Sequence, residues 1–582
     1  MNSKSGSERG ASVTSLSPWQ RSRRRQSTLA DVQRVVRAAD LPARVARATE
    51  LEAYFAVKQL GASDAAPLLA HLSAEQVRAL WDFEAWSGDG LRPSELLVWA
   101  QAFREAGPEA LVRAFFALDR EAAAALLARR LWVALKPKDH DAADPSEGPP
   151  LPEWVQDEHI DVAETPDGRF WIAARRSDAS GDEPVDEEER KAVLELVAEL
   201  YRSPDWEDAA GLLRLAEADL PSDLEETALR FRNARLEDLG FPAPDRAREV
   251  YAPVDPTVEL TRTWQPWGAD ATVWLPDRYG AALEGTPLRT ALEAVVDVQT
   301  FARLESELVP LLHAVLVADR IDPAADAPVR EAVARTAGVL MVALQAPDSP
   351  WEPAERLRRI PVRMLFRAGH SFLLRLKARA DALRRGPIYG LLEASDHGAL
   401  EVLGARRPWF PEGLEAHPDP VDPARAAVGR PFRGWADVEQ VGRWLQDLEG
   451  LEAADRAMGL GARIQGLDEP VWPPAPEERT LRRALTTGAA WTLLGEGFGF
   501  EPIAAGRLPE LADRMPGLQP ARVARAVATE LGGRGGLSEG AVQGLLWTLT
   551  LGLTALRDEL MPAVGQGQVD PRYVEAVLRR PA

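Results

Sequence analysis

Residues Ser63–Trp86 read SDAAPLLAHLSAEQVRALWDFEAW and carry the signals of two consecutive helices with a break between them. Ser73 and Gln76, three residues apart, form the pattern of a capping box, in which each side chain bonds the other residue's backbone N–H. The apolar residues of the second helix recur at the spacing of one buried face, at Val77, Leu80 and Trp81. The stretch therefore predicts a helix that begins after Ser73 and packs on a neighbouring helix.

The same break recurs 46 residues later, where Asp119 takes the capping position of Ser73. Leu126 and Leu127 then stand where Leu80 and Trp81 stand in the first copy. A period of this length is typical of helical repeats, which stack because no single unit can bury its apolar face. We therefore expect a solenoid-like helical unit in the N-terminal part of the chain.

The composition of the 582-residue chain favours helices throughout. Apolar residues make up 46% and charged residues 27%, an ordinary globular balance, and Ala, Leu, Arg and Glu are abundant. The chain is too long to fold around a single hydrophobic core, so two to four packed units are expected. The predicted fold class is all-α: a multi-unit helical protein with a solenoid-like N-terminal part and one small β-hairpin insert.

The hairpin is predicted inside an acidic, proline-containing insert. The stretch HIDVAETPDGRFWIAAR alternates apolar residues on both sides of a Pro166-Asp167-Gly168 turn. We therefore expect a hairpin over residues 159–174.

Breaks in the helical pattern divide the chain into six predicted segments. They are a disordered arm (1–27), an N-terminal helical repeat unit (28–135), the acidic insert (136–186), a central helical unit (187–403), a Pro-rich connection with a helix (404–475) and a C-terminal helical unit (476–582). Further helices are expected near 286–318, 325–346, 351–385 and 435–458. Ser222 with Glu225 makes a second capping box, so a helix is expected from Asp223 until Gly240 ends it.

Two segments of the C-terminal unit, Leu485–Leu494 and Val542–Leu556, carry no charge on any face. Such helices are surrounded by protein or by lipid, and both are too short and too rich in threonine for a membrane span. We expect them to pack against each other, with Trp491 and Trp547 buried. The loop before the second helix ends at Ser538, which is expected to cap it.

Charge and cysteine content narrow the classes of function. A formal net charge of −21 argues against a broad nucleic-acid interface, which leaves only weak contact by the Arg-rich arm around Arg21–Arg25. The absence of cysteine excludes disulfides, thiolate nucleophiles and cysteine metal sites. The seven histidines lack the spacing of a zinc site, so neither a metal nor another cofactor is expected. No membrane span is expected, and we predict a cytoplasmic location.

Two resemblances to known families follow from these stretches. The cadence LLAHLSAEQVRAL and FFALDREAAAALL resembles the superhelical cytosolic N domain of MgtE-type magnesium transporters, over residues 40–135. The stretches YFAVKQLG, WDFEAWSGD and LEETALRFRNARLEDLGFP are similar to an uncharacterised bacterial family, a domain of unknown function. This second resemblance implies one architecture over most of the chain and implies no site residues.

The candidate site residues are Glu226, Arg230 and Arg235, on one predicted helix, with His370 from the central unit. An arginine cluster of this kind can bind an anionic ligand. The alternative is a network of salt bridges on or between helices. His370, in RAGHSFLL, is expected at a helix start beside Ser371.

Two functions are compatible with these patterns. The first is a scaffold or interaction protein that binds another protein, because helix-on-helix patterning continues throughout and the sequence contains no recognisable catalytic motif. The second is an enzyme or a small anionic-ligand binder with its site in the central helical unit.

Overall fold

The computed structural model describes residues 18–19, 29, 31–136, 152–177, 184–264, 275–347, 350–467, 471–473 and 478–580. Within them it holds 27 α-helices and a few short antiparallel strand pairs, so the predicted all-α class with a small β insert is confirmed. Of the predicted arm 1–27, only Pro18 and Trp19 are described, and Trp19 is buried against Phe301. The rest of that arm lies outside the described residues.

The chain forms two compact units. Unit 1 comprises residues 1–250, 269–282 and 296–332, and unit 2 comprises residues 251–268, 283–295 and 333–582. The six-segment division expected from the sequence stays a prediction.

The elements of unit 1 are α1 (Val32–Val35), α2 (Leu41–Val45), α3 (Glu50–Leu60), α4 (Ala66–Leu69), α5 (Ala74–Glu84), β1 (Trp86–Ser87), β2 (Gly90–Leu91), α6 (Pro93–Ala106), α7 (Pro108–Phe116), α8 (Arg120–Arg130), β3 (Leu131–Leu135), α9 (Glu153–Gln156), β4 (Ala163–Glu164), β5 (Phe170–Ala174), α10 (Glu187–Arg202), α11 (Trp206–Ala218), α12 (Pro221–Asp238), α13 (Pro244–Arg248), α15 (Asp277–Ala282) and α17 (Val298–Asp319).

The elements of unit 2 are α14 (Pro256–Thr261), α16 (Pro287–Glu293), α18 (Asp326–Gln345, which begins in unit 1), α19 (Pro353–Arg359), α20 (Val362–Arg385), α21 (Ala394–Gly404), β6 (Phe410–Pro411), β7 (Gly429–Arg430), α22 (Trp435–Met458), α23 (Leu460–Gln465), α24 (Leu481–Leu493), α25 (Leu508–Ala512), α26 (Pro520–Gly535) and α27 (Glu539–Leu560).

Helix α5 begins where the capping box places it. The backbone N–H of Gln76 donates to Ser73 Oγ at 3.2 Å, and the backbone N–H of Ser73 donates to Gln76 Oε1 at 3.0 Å. Val77, Leu80 and Trp81 are buried in the core of unit 1, as their spacing predicts. The predicted helix start and its packing face are therefore confirmed.

The predicted hairpin is present as β4 and β5, and the structure adds a third strand. Strand β5 is central, with β3 and β4 antiparallel to it on either side. Ala163 pairs with Ile172, and Gly168 has φ +70° in the turn. Phe170–Ala173 are all buried, because both faces of the central strand are covered, so strict alternation is lost there.

The capping box predicted at Ser222 and Glu225 is wrong. Helix α12 begins at Pro221, with Leu220 as the N-cap and no side-chain cap. Glu225 is buried and forms an ion pair with Arg129 of α8 at 2.7 Å, so its carboxylate serves interhelical packing instead. Gly240 does follow the end of α12 with φ +84°, as expected of a C′ glycine.

Four long helices were expected in the central part of the chain, and two of them match single helices. These are α18 and α22, at the expected positions. The stretch 286–318 is divided into α16 and α17 at a capping aspartate, Asp297, whose side chain accepts from Thr300 N at 2.7 Å. The stretch 351–385 is divided into α19 and α20 at Pro361, because a proline ring disfavours helical backbone angles in the residue before it.

In the C-terminal part of unit 2, α24 and α27 pack against each other as expected. Ser538 caps α27 by accepting from Ala541 N at 3.3 Å, and Trp547 is buried. Trp491 is only half-buried, which corrects the prediction: its indole N–H donates to the carbonyl of Glu501 at 2.7 Å near the surface. Over the described part of the chain, the helices all fall short of the length and apolarity that a membrane crossing requires.

Candidate functional site

Glu226 and Arg230 form an exposed ion pair one turn apart on α12. Their side chains are 66% and 73% exposed. Pairs of this kind contribute little to stability, because solvent screens both charges.

Arg235, one turn further along α12, lies between two carboxylates. Its guanidinium donates to both Asp82 oxygens at 2.7 and 2.8 Å and to both Asp119 oxygens at 2.7 and 2.9 Å. Burial favours the neutral form of Arg235, but these hydrogen bonds outweigh it and raise its pKa. Asp119 stands at the N-cap of α8 without capping it, because its carboxylate is used here. Arg235 thus joins α12 to α5 and α8, with four of its five guanidinium N–H groups donating to these two carboxylates.

His370 belongs to unit 2 and lies in the middle of α20, not at a helix start. It is buried, with the ring of Tyr251 edge-on at 5.0 Å and that of Phe366 stacked at 6.3 Å. Ser371 is likewise inside the helix, where it donates to the Arg367 carbonyl and accepts from Val254 N. Of the four candidate residues, only Glu226 and Arg230 contact each other.

Unit 1 contains a cleft of about 830 Å³ that the sequence did not indicate. We call it the Arg232 cleft, after the arginine of α12 that faces it. Its walls come from α3, α5, the β1–β2 turn, α12, the segment 241–248 and the residues at the end of α17. The apolar lining consists of three prolines, two alanines (Ala243 and Ala318) and the larger side chains Phe83, Trp86, Leu236, Phe241, Leu316, Val317 and Ile321. The volume lies within the range of ligand-binding clefts in proteins.

One polar cluster at the cleft is centred on Glu84. Its carboxylate accepts hydrogen bonds from Tyr54 Oη at 3.0 Å, Lys58 Nζ at 2.8 Å and Trp99 Nε1 at 3.3 Å. Burial, and then the negative charges of Glu84 and Asp322, raise the pKa of Tyr54, which keeps its hydroxyl a donor. Glu84 is therefore saturated and serves to hold α3, α5 and α6 together.

Arg232 differs from its neighbour Arg235 in its partners. It donates to two carbonyl oxygens, those of Asp82 at 2.7 Å and Gly88 at 3.4 Å, and its guanidinium lies 5.5 Å from the ring centre of Trp86. Within the described residues no carboxylate forms an ion pair with it. Burial lowers the pKa of Arg232, and the negative charges of Asp82 and Asp89 offset this only in part. A half-buried positive charge thus lies at the cleft with carboxylates nearby but none in direct contact with it.

A second guanidinium at the cleft is that of Arg320, directly after α17. Its backbone is left-handed, with φ +57° and ψ +42°, a conformation that costs free energy for a residue with a Cβ. The side chain is exposed, and it pairs with no carboxylate in the part of the chain that the structure describes. The other cationic residues of the lining have acidic partners: Lys58 pairs with Glu84, Arg92 with Glu95 and Arg248 with Asp245.

Behind the apolar wall lies His313 of α17, fully buried and stacked on the Phe241 ring at 3.7 Å. Burial lowers the pKa of His313 to about 3, and the backbone of Gly240 and Leu239 offsets this only in part. The imidazole is therefore neutral at physiological pH and acts as an aromatic packing group.

The described residues contain no group of three or more His, Asp or Glu side chains arranged to hold a metal ion. Nothing in the sequence distinguishes Arg232 from Arg230 and Arg235, its neighbours on the same predicted helix. A signal was available in SGDG (Ser87–Gly90), which is typical of a tight turn, but nothing in the sequence placed that turn beside α12.

The comparisons with known proteins give a family without an assigned activity. The model of the family of unknown function DUF6178 matches residues 15–580, nearly the whole chain. Neither the curated proteins nor the solved structures include a match. The match confirms the resemblance to an uncharacterised family, and the chain belongs to the DUF6178 family.

Proposed function

We propose that this chain is an interaction protein that binds a segment of another polypeptide in the Arg232 cleft. The observation that carries the proposal is the cleft itself, whose lining combines large apolar side chains with charged and hydrogen-bonding groups. Apolar clefts with a few oriented polar groups are the usual form of peptide and ligand sites.

The polar groups of the cleft support binding over catalysis. Glu84 is held by three donors, and Arg92 and Arg248 each pair with a neighbouring acid. A general base or nucleophile needs a reactive group within hydrogen-bond reach of a second one. The residues lining the cleft contain no histidine, and Ser87 is their one hydroxyl-bearing residue.

The competing proposal is a small anionic ligand, with or without chemistry on it. It is favoured by the two cleft arginines that lack acidic partners, Arg232 and Arg320. Both proposals place the site in unit 1, and one selection experiment separates them. The cytoplasmic location expected from the sequence is part of the proposal.

The experiment selects a displayed library of random peptides on the full-length protein. Enriched peptides are then labelled, and their binding is measured by fluorescence anisotropy. The blocking variant is Ile321→Trp, which fills the cleft from a half-buried wall position. The matched control is Val98→Trp, at a 54% exposed position of α6 in the same unit, away from the lining.

The proposal predicts enriched peptides with a shared sequence. Their affinity is expected to fall at least about tenfold, or about 1.4 kcal/mol, in Ile321→Trp and to stay unchanged in Val98→Trp. Peptides that bind Ile321→Trp as well as the parent protein would contradict the proposal. A selection without enrichment would contradict it too and would favour the small-ligand alternative.

A further inference from the structure

We propose that Arg232 and Arg320 bind an anionic group, a carboxylate or a phosphate, at one part of the Arg232 cleft. This inference rests on the proposed function in one respect: if the ligand is a polypeptide segment, that segment carries the anionic group.

The first argument is the contrast between two arginines three residues apart on α12. Arg235 donates to the carboxylates of both Asp82 and Asp119, whereas Arg232 donates only to carbonyl oxygens. Asp82 contributes to both, by its carboxylate to Arg235 and by its backbone carbonyl to Arg232. The fold thus bonds its buried carboxylate to one arginine and leaves the other with nearby acids, Asp82 and Asp89, but no carboxylate in contact.

The second argument is the cost of that arrangement. Arg232 is half-buried, and a partly shielded charge without a counter-ion in contact is unfavourable. A ligand carrying an anion would supply the missing counter-ion. The guanidinium suits this role, since its planar fork matches both carboxylate and phosphate oxygens. The ring of Trp86 also contacts the guanidinium, whose central carbon lies 5.5 Å from the ring centre in a cation–π arrangement.

The third argument is the local sign of charge. The chain as a whole has 90 acidic and 69 basic residues. The lining of the cleft reverses this, with five basic residues against four acidic ones. Three of the basic residues are paired with acids, and the two that remain are Arg232 and Arg320. A positive site within an acidic protein attracts anions at short range, where salt screens less.

The test measures the thermal unfolding midpoint of the full-length protein with inorganic pyrophosphate or with glutarate, each against NaCl of the same ionic strength. The two anions distinguish a phosphate from a carboxylate source. The variants are Arg232→Gln, whose amide can still donate to the Asp82 carbonyl, and Arg320→Gly, which removes the charge and suits the left-handed backbone. The control is Arg230→Gln, two residues from Arg232 on α12 and exposed outside the cleft.

At least one anion is expected to raise the midpoint by about 2–4 °C in the parent protein and in Arg230→Gln. The shift should be absent in Arg232→Gln and reduced in Arg320→Gly. No shift above the NaCl reference, or an equal shift in Arg232→Gln, overturns the inference.

The two proposals fail separately. If the selected peptides are neutral and neither anion shifts the unfolding midpoint, the peptide-binding proposal stands and the anion-binding proposal is wrong. If an anion shifts the midpoint in a manner that depends on Arg232 but no peptide is enriched, the anion-binding proposal stands and the peptide-binding proposal is wrong.

Discussion

Gly450 of α22 faces the carbonyl oxygen of Gly540 at the start of α27, so closely that a Cβ on Gly450 would overlap that oxygen. Gly544, one turn further, meets the backbone of Asp447 and Leu451 in the same way. The two helices therefore pack backbone against backbone, which residues with a side chain would prevent.

Gly450→Ala is therefore expected to destabilise the protein by about 2–4 kcal/mol, because one of the two helices must move away. Gly442→Ala is the matched control on α22, since its Cβ would find only the end of Arg379 at 3.9 Å. Alanine favours helix over glycine, so this change is expected to be neutral or stabilising by up to about 1 kcal/mol. Chemical denaturation of both variants measures the difference, and equal destabilisation would show that the close approach is unimportant.

Arg235→Gln is expected to cost about 2–4 kcal/mol, because it leaves the buried Asp82 without its counter-ion. Arg230→Gln removes an exposed pair on the same helix and is expected to cost under about 0.5 kcal/mol. Urea unfolding curves compare the two. Similar costs would mean that the carboxylates around Arg235 contribute no more than a surface pair.

His313 makes stability depend on acid. Its pKa is lowered to about 3 in the folded chain, from 6.5, so the unfolded chain binds the proton first as pH falls. The contribution of neutral His313 to the free energy of unfolding is fully present above pH 6.5. It is lost between pH 6.5 and 3, by up to about 1.4 kcal/mol per pH unit. His313→Leu should unfold with a weaker pH dependence over this window. Parallel curves for the two proteins would rule out a neutral buried imidazole.

Leu549→Asp is expected to unfold at least unit 2, because Leu549 is fully buried in α27 and a carboxylate there has no route to water. Ala555→Asp places the same charge at an exposed position of α27 and should cost under about 1 kcal/mol. Circular dichroism and thermal melts report both. A stable Leu549→Asp protein would mean that this helix face is accessible.

Trp81→Ala is expected to cost about 3–5 kcal/mol. The indole is 2% exposed, packs 5.6 Å from Phe103, and donates to the Ala114 carbonyl at 2.9 Å. Calorimetry of the full chain measures the loss, and a change under about 1 kcal/mol would contradict this account of the unit 1 core.

The sequence by itself determined the all-α class, several of the long helices and some of their ends. Ser73 and Ser538 cap the helices that follow them, and Gly240 follows the end of α12. These signals are local, since a cap needs only residues within one turn. The buried face of α5 was likewise predictable from its spacing.

Features that depend on partners far along the chain were decided by the tertiary structure. Strand β3 follows α8 without a break and becomes a strand because it pairs with β5. Glu225 has the spacing of a capping box with Ser222, yet the interaction with Arg129 of α8 takes its carboxylate.

The candidate site shows the same division. Arg230, Arg232 and Arg235 are equivalent in the sequence, as three arginines on one predicted helix. Their environments differ because α12 packs on α5 and α8, where Asp82 and Asp119 are available to only one of them. Charge pairing between helices falls steeply with distance and with access to water, and both are set by packing. The sequence supplied the arginines, and only the tertiary structure decided which one faces the cleft without an acidic partner.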